Sequence, residues 1–382
     1  MKKEKNKTIR VFYMVYSLTS GGIERYSINL FRGIDKSKIE LDFITKLDRR
    51  EFFDGALNRA GGKKIPLARG AKPGRVNQAI TILKNTIHTA RKNYDIAYFN
   101  LSSPSAVFKY PLICRFCGIK KIIIHSHNSS EVDLNLIHRM ANSLGRRYIN
   151  HIANKKFAPS REAASWMFGE KSVAEKDYVW VPNAVESEDY AFSKSKRSLA
   201  RLELNLPEDS FIVGHVGRFV EQKNHIQLIN IFEALHRLNN KAILLLVGVG
   251  ELQDAVREYV AKKNLSKSIR FLGERADIAQ LMQAMDVFLL PSLYEGLPVV
   301  GIEAQAAGLP CLFSDTISKE VGITKNTSFM SLKSSPHEWA KRIQELGRIP
   351  RTDTSNDIKA SGYDLSTTVQ LVENQIETLA TT

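Results

Sequence analysis

Two carboxylates, Glu295 and Glu303, stand eight positions apart across a turn that contains Gly296 and Pro298. They follow Asp286 to Leu290, an apolar run that reads as a buried strand. A small-residue helix is expected to open at Glu303 and to close at Gly308 and Pro310. Loops just beyond the carboxyl ends of strands are where open parallel sheets bind ligands. A second group lies upstream, in Gly214 to Asn224. There a strand ends at Arg218 and a helix should begin near Asn224. A guanidinium, the Lys223 ammonium five residues on and the free N–H groups of a helix start together make an anion site. As plain surface charges, Arg218 and Lys223 would need no explanation.

Joined, the two groups say more than either alone. Cations disperse the charge of a diphosphate, above all when it departs as a leaving group. One carboxylate can accept two ribose hydroxyls, and another can bind the hydroxyls of a sugar. A nucleoside-diphosphate sugar asks for this combination.

Three further spots carry chemistry-bearing residues. Gly21 and Gly22 interrupt a strand-to-helix passage, where backbone N–H groups can approach a phosphate; a tight turn explains them equally. His125 and His127 end a strand that starts at Lys121, and alternation aims both the same way. A zinc pair would need a third ligand, and none is spaced nearby; a satisfied core histidine remains an alternative. Gly248 and Gly250 resemble part of a dinucleotide fingerprint but have no third glycine at the required spacing. Cys114 and Cys117, a lone Cys-x-x-Cys in an apolar run, read as core. No Asp-x-Asp occurs that could hold a metal-bound nucleotide.

The elements that must position these residues alternate between strand and helix along both halves of the chain. Ile9–Leu18, Leu41–Thr45, Ile96–Phe99, Lys121–Ser126 and Phe157–Ser160 read as strands in the first half, with helical stretches between them. The alternation restarts at Phe211–Val216 and continues through Ala242–Val247, Ile269–Leu272, Asp286–Leu290 and Cys311–Phe313. This pattern implies parallel sheets covered on both faces. Two doubly wound α/β domains are expected, over residues 1–185 and 186–363, followed by a C-terminal helix over 364–382.

A length of 382 residues favours two cores over one, and 43% hydrophobic with 25% charged residues is ordinary for a globular protein. No apolar run approaches the roughly 18 to 20 residues that span a bilayer. The Lys2–Lys7 cluster before Val11–Leu18 imitates a signal peptide, but no small-residue cleavage site follows. A cytoplasmic chain is therefore expected. The net charge of +15 is one-sided: residues 1–180 hold 33 Lys and Arg against 15 Asp and Glu. Such an excess suggests an acidic partner, or simply a solvated basic surface. Apolar residues recur at helical spacing in Val76–Arg91 and Leu136–Ile152, flanked by Lys and Arg. Either stripe could face a core or an anionic membrane.

These residues carry a family resemblance. The chain resembles retaining glycosyltransferases of the GT-B fold, in family 4 (glycosyl transferases group 1). The marks are Glu295-Gly296-Leu297-Pro298 with Glu303-Ala304, Gly217-Arg218 with Lys223, Leu246 to Leu252, and Phe271-Leu272-Gly273. The resemblance implies two Rossmann-like domains facing an interdomain cleft. It also implies that Glu303 binds the ribose and that Arg218 and Lys223 hold the diphosphate. Glu295 and the backbone of Gly296, Leu297 and Pro298 would meet the donor sugar. Arg275 to Ile278 would lie along the base, and Gly248 and Gly250 near the donor. Gly21 and Gly22 would face the diphosphate and acceptor, and His127, preferred over His125, the sugar being transferred. Neither glutamate is expected to act as a nucleophile, and no cofactor or metal is expected.

The chain is also similar to bacterial capsule and exopolysaccharide glycosyltransferases, which implies a saccharide acceptor, lipid-linked or free. Peripheral association with the inner face of the plasma membrane follows as an expectation. Two competing readings differ in class. A sugar-nucleotide epimerase of similar fold would need acid/base carboxylates that cannot be placed, and would turn over a donor without acceptor. A non-catalytic binder of anionic polymer rests on charge alone, and no nucleic-acid module is visible.

Overall fold

The computed structural model describes residues 8–19, 21–128 and 135–382; the Lys2–Lys7 cluster and Ser20 lie outside the described residues. The chain divides into two compact units, residues 1–184 with 365–382, and residues 185–364.

The first unit contains a seven-stranded, all-parallel sheet. Its strands are β1 (Ile9–Met14), β2 (Ile39–Thr45), β3 (Lys63–Pro66), β4 (Ile96–Leu101), β5 (Lys121–Ser126), β6 (Lys155–Ala158) and β7 (Val179–Trp180), in the order β3-β2-β1-β4-β5-β6-β7. Strand alternation divides each strand between two helical layers. From β1, Val11 and Tyr13 enter one core, and Phe12 and Met14 enter the other. Burial on both faces explains the unbroken apolar runs Val11–Met14 of β1 and Ile96–Phe99 of β4. The short edge strand β3, with its two lysines, carries too weak a pattern to be read from sequence.

The helix Leu365–Thr381 belongs to this first unit. Leu365, Val369, Val372 and Ile376 enter the same core as Leu30 and Phe31 of the helix Gly22–Gly33. Gly33 permits the approach, because a Cβ there would stand 2.8 Å from Val369. Lys38 pairs with Glu377 at 3.0 Å, and Lys121 Nζ donates to the Ala380 carbonyl at 2.6 Å.

The second unit holds β8 (Phe211–Val216), β9 (Ala242–Val247), β10 (Ile269–Gly273), β11 (Val287–Leu290), β12 (Cys311–Ser314) and β13 (Thr327–Met330). Their order is β10-β9-β8-β11-β12-β13, again all parallel. Chain order therefore reverses between β8 and β11, as it does between β1 and β4 in the first unit. Such switch points open a crevice at the carboxyl ends of the strands.

The apolar stripe Ile137, Met140, Leu144, Tyr148 and Ile152 of the helix Leu136–Ile152 does not face the core along its length. Ile152 is buried with Asn142, Gly145 and Ile149, whereas Ile137, Met140 and Leu144 are exposed. Gly145 sets this orientation: it lies against the Pro104–Ser105 backbone, where any side chain would collide.

Candidate active site

In the second unit the site grows from the loops that follow β8 and β11. Beyond β8 the backbone keeps pairing with the neighbouring loop. Gly217 N–H donates to Val247 at 2.9 Å, Phe219 N–H to Val249 at 3.1 Å, and Leu252 N–H to Phe219 at 3.0 Å. This contact supplies a packing reason for Gly248 and Gly250. Gly248 has φ +131°, and its missing Cβ would strike the Gly217 carbonyl; a Cβ on Gly250 would strike the Phe219 main chain.

The chain then turns through a single 3-10 turn, Glu221–Lys223, and Asn224 adopts a left-handed φ of 53° before the helix His225–Leu238. This turn is tied to the loop after β11. Leu293 N–H donates to the Gln222 carbonyl at 2.8 Å, and Asn224 Nδ2 to the Pro291 carbonyl at 3.2 Å. Gln222 Nε2 donates to the Tyr294 carbonyl at 3.0 Å and to Glu295 Oε2 at 3.3 Å. Lys223 Nζ meets Glu295 Oε1 at 2.5 Å, and both side chains are largely out of water. The Lys223 stem passes over Gly217, whose absent Cβ would sit 3.2 Å from Cδ and Cε. Arg218 is exposed, and among the described residues its guanidinium has no carboxylate partner.

Glu295 is held by its backbone as well: it forms a parallel bridge with Ile317, and Ser318 N–H donates to its carbonyl at 3.3 Å. The next helix runs Val299–Ala306, so it begins at Val299 and not at Glu303. Pro298 stands at the N-cap in extended conformation, and the two valines it precedes rest against the core. Glu303 consequently lies in the second turn, buried. Gln305 anchors this helix, donating to the Val321 carbonyl at 2.6 Å and accepting from Thr324 N–H at 2.8 Å. Neither the Val299 nor the His225 helix start has a side-chain cap. Their free N–H groups and dipoles favour negative charge. Gly296 and Leu297 lie in the loop between Glu295 and Pro298.

Arg275 is spoken for locally. Its Nε and Nη2 grip Asp277 at 2.7 and 2.5 Å, holding that carboxyl below its ordinary range. The side chain of Ile278 is buried in the core, so only its backbone is available to a ligand.

Beneath Lys223 lie two buried histidines. The rings of His215 and His225 are 5.0 Å apart, and His225 stacks on Phe219 at 4.1 Å. His215 accepts or donates at Nδ1 with the Leu289 carbonyl, 2.9 Å away; because a carbonyl only accepts, Nδ1 carries the proton. Burial lowers the pKa of both rings, that of His225 to about 4, with Lys223 adding to the effect.

In the first unit, β1 leads to Gly21 and Gly22 at the start of the helix Gly22–Gly33. A residue not singled out from the sequence, Glu24, folds back over this start. Its Oε1 accepts from Ser17 Oγ at 2.7 Å and from Thr19 Oγ1 at 3.2 Å. A Cβ on Gly21 would strike the Glu24 carboxylate, whereas Gly22 is open. A carboxylate of the chain itself thus occupies the approach to Gly21. Its first-turn position after a Gly-Gly pair is the available sequence signal.

His125 in β5 and His127 just past its end do share one side, with rings 4.1 Å apart. His125 is wholly buried and bonds Tyr98 Oη through Nδ1 at 2.7 Å. His127 retains some exposure, and its Nε2 lies 2.7 Å from Asn100 Oδ1. Asn100 Nδ2 donates to the Met14 carbonyl at 3.0 Å, so Oδ1 must point to the ring and Nε2 must carry the proton. The lone pair on Nδ1 is left as an acceptor. Burial lowers the His127 pKa to about 3, opposed by Asn183 beside it. At neutral pH this ring is uncharged.

Residues 196–364 match the family model described as Glycosyl transferases group 1, and residues 20–189 match Glycosyltransferase Family 4. EpsF of Bacillus subtilis (strain 168), which carries a glycosyltransferase name, is 30% identical over 373 residues, spanning 96% of this chain and 95% of the relative. An Escherichia coli protein named UDP-Gal:alpha-D-GlcNAc-diphosphoundecaprenol alpha-1,3-galactosyltransferase is 37% identical over 138 residues, 35% of this chain and 36% of that protein. Among solved structures, Anabaena HepE in complex with UDP and glucose superposes with a TM-score of 0.77 at 20% identity, covering 97% of this chain and 99% of HepE. The two-sheet α/β architecture is therefore of the GT-B type.

Proposed function

Because the chain belongs to the group 1, family 4 glycosyltransferases, we propose that it moves a hexose or N-acetylhexosamine from a UDP-sugar to a saccharide carried on polyprenyl diphosphate. The transfer serves the building of a cell-surface or extracellular polysaccharide. The observation that carries this reading is the Lys223–Glu295 pair at the β8/β11 switch point, with exposed Arg218 beside it. The UDP bound to HepE supports the choice of base. The diphosphoundecaprenol acceptor in the name of the Escherichia coli relative supports a lipid-linked acceptor.

In this reading Glu303 takes the ribose, Arg218 and Lys223 the diphosphate, and Glu295 with the Gly296–Pro298 backbone the donor sugar. The acceptor hydroxyl attacks the anomeric carbon on the face that the leaving group vacates. The bond from that carbon to the β-phosphate oxygen breaks, and its electron pair departs with the diphosphate. The acceptor's proton passes to a departing phosphate oxygen, so configuration is retained and no enzyme nucleophile is used. Growing charge on the diphosphate is met by Arg218, Lys223 and the uncapped helix starts, an electrostatic form of catalysis. No metal or cofactor enters the reaction as we propose it.

A thermal-shift panel of UDP-, GDP- and ADP-sugars tests the donor, followed by product analysis with a polyprenyl-diphosphate-linked sugar. UDP-sugars should raise the melting temperature and the product should carry an α-linkage from an α-donor. Indifference to every nucleotide-sugar would overturn the reading.

A further inference from the structure

The first sheet ends at β7, which pairs with β6 through Phe157–Val179 and Ala158–Trp180. Tyr178 and Trp180 flank Val179, and strand alternation turns both rings to one side. There they line a cavity of about 400 Å³ together with Arg161, Val173 and Lys176, which come from the helices Arg161–Phe168 and Glu170–Ala174 and the turn after them. That is a size usual for small-ligand sites. Trp180 is 41% exposed, and its Nε1 donates to the Pro159 carbonyl at 2.9 Å, which fixes the indole while leaving ring surface open.

The cavity has two cations and no carboxylate in its lining. Arg161 and Lys176 are exposed and make no salt bridge among the described residues. The acids of the same stretch are engaged elsewhere or stand outside the cavity. Glu170 accepts from Ser165, Glu175 pairs with Lys171 and Asp177 with Lys156, while Glu162 is not part of the lining. Lys176 also stands out by its backbone, which has a left-handed φ of 53°. The other four non-glycine residues with positive φ among those described are all asparagines, at 93, 205, 224 and 264. A lysine holds this conformation at a cost on the order of 1 kcal/mol, much of which asparagine avoids. The position keeps an ammonium where local folding favours an amide.

We infer that this cavity holds a carboxylate-bearing sugar unit of the acceptor. Aromatic rings offer apolar faces to the C–H faces of a pyranose, and two free cations take a carboxylate by charge-assisted hydrogen bonds. A bare diphosphate would use the cations and leave both rings idle. The inference rests on the reading of a saccharide acceptor given above. Trp180 is three residues from Asn183, the neighbour of His127, so at most about 11 Å of chain separates the two. A saccharide whose accepting sugar lies at His127 needs only a short extension to reach Trp180.

Isothermal titration of the full chain, without donor, tests it with cellobiouronic acid and its neutral counterpart cellobiose. The acid should bind at least about tenfold more tightly, the effect of one charge-assisted contact, and added salt should narrow the difference. Lys176→Asn and Arg161→Gln should each remove most of the preference, and Trp180→Ala should weaken both probes. Lys176→Asn should do so with an unchanged or raised melting temperature, because asparagine accepts the left-handed backbone more readily. A lysine with a merely structural role would leave the sugar preference as it was. Equal binding of the two disaccharides, or no binding of either, would overturn the inference. So would a preference intact in either cation variant, unchanged binding by Trp180→Ala, or displacement of the acid by an equal concentration of inorganic pyrophosphate. A thermal shift with UDP-sugars on the same preparation reports the donor reading separately, so that reading can stand where this one falls.

Discussion

The Lys223 ammonium reaches Glu295, 72 residues further along the chain, at 2.5 Å, and it does so by lying across the bare α-carbon of Gly217. One cation, one carboxylate and one glycine thus form a unit, and none of the three can change without moving the others. Gln222 reinforces the arrangement by donating to the other oxygen of Glu295 at 3.3 Å.

Lys223→Ala removes the charge that we assign to the leaving diphosphate. Turnover should fall by about 10²- to 10³-fold, the usual effect of losing one such electrostatic contact. The fold should lose only about 1 kcal/mol, since Gln222 still serves Glu295. Steady-state kinetics beside urea denaturation of the same variant separate the two effects, and unchanged turnover would remove Lys223 from the site.

Substitution of two nearby glycines should give opposite phenotypes. Gly217→Ala places a methyl 3.1 Å from Nε2 of the buried His215 ring and 3.2 Å from the Lys223 stem, and the stem can shift by a few tenths of an ångström. The variant should fold, at a cost of about 1 kcal/mol for the crowded ring, yet lose roughly tenfold in kcat, as a displaced cation would. Gly248→Ala meets backbone in place of a flexible side chain, at φ +131°. It should cost about 2 kcal/mol or more of stability. Melting temperatures and kcat for the pair would show whether the loss divides in this way.

Acid should destabilise both units. Burial depresses the pKa values of His127 and His225 to about 3 and about 4, and lowers those of His125 and His215 as well. A histidine depressed on folding binds fewer protons folded than unfolded. Its contribution is complete above the unfolded value near 6.5 and is lost as pH falls toward the folded value. Each ring can contribute up to about 1.4 kcal/mol per pH unit across that window. Urea midpoints at pH 7, 6 and 5 should fall in order, and His225→Gln should flatten the slope for the second unit.

Asn100 sets the protonation of His127. Asn100→Asp would put a carboxylate 2.7 Å from Nε2, in place of the amide oxygen, and should raise the pKa of the ring. The replacement also loses the donor to the Met14 carbonyl, so some stability should be lost with it. An NMR titration of the His127 ring would register the upward shift. A ring that still titrates near pH 3 would contradict the tautomer argument.

Period and punctuation in the sequence were enough for the plan of the chain. Apolar runs of strand length alternate with helical stripes, and a strand buried on both faces has no other stable partner than parallel neighbours. Because a loop's place after a strand is a local fact, the positions of Gly21, Arg218 and Glu295 at strand ends could be read directly. So could the common side of His125 and His127, which follows from a period of two. What lay beyond reach was decided by contacts between residues far apart in the chain. Periodicity reveals that Ile137, Met140 and Leu144 form a stripe but not whether it faces the core, and the close fit of Gly145 on Pro104 turns that stripe outward. The helix Leu365–Thr381 joined the first unit because Gly33 leaves room for Val369. Glu24 covering Gly21 and Lys223 gripping Glu295 are tertiary facts of the same kind, since spacing along a chain encodes direction over a few residues and carries no distance across a fold.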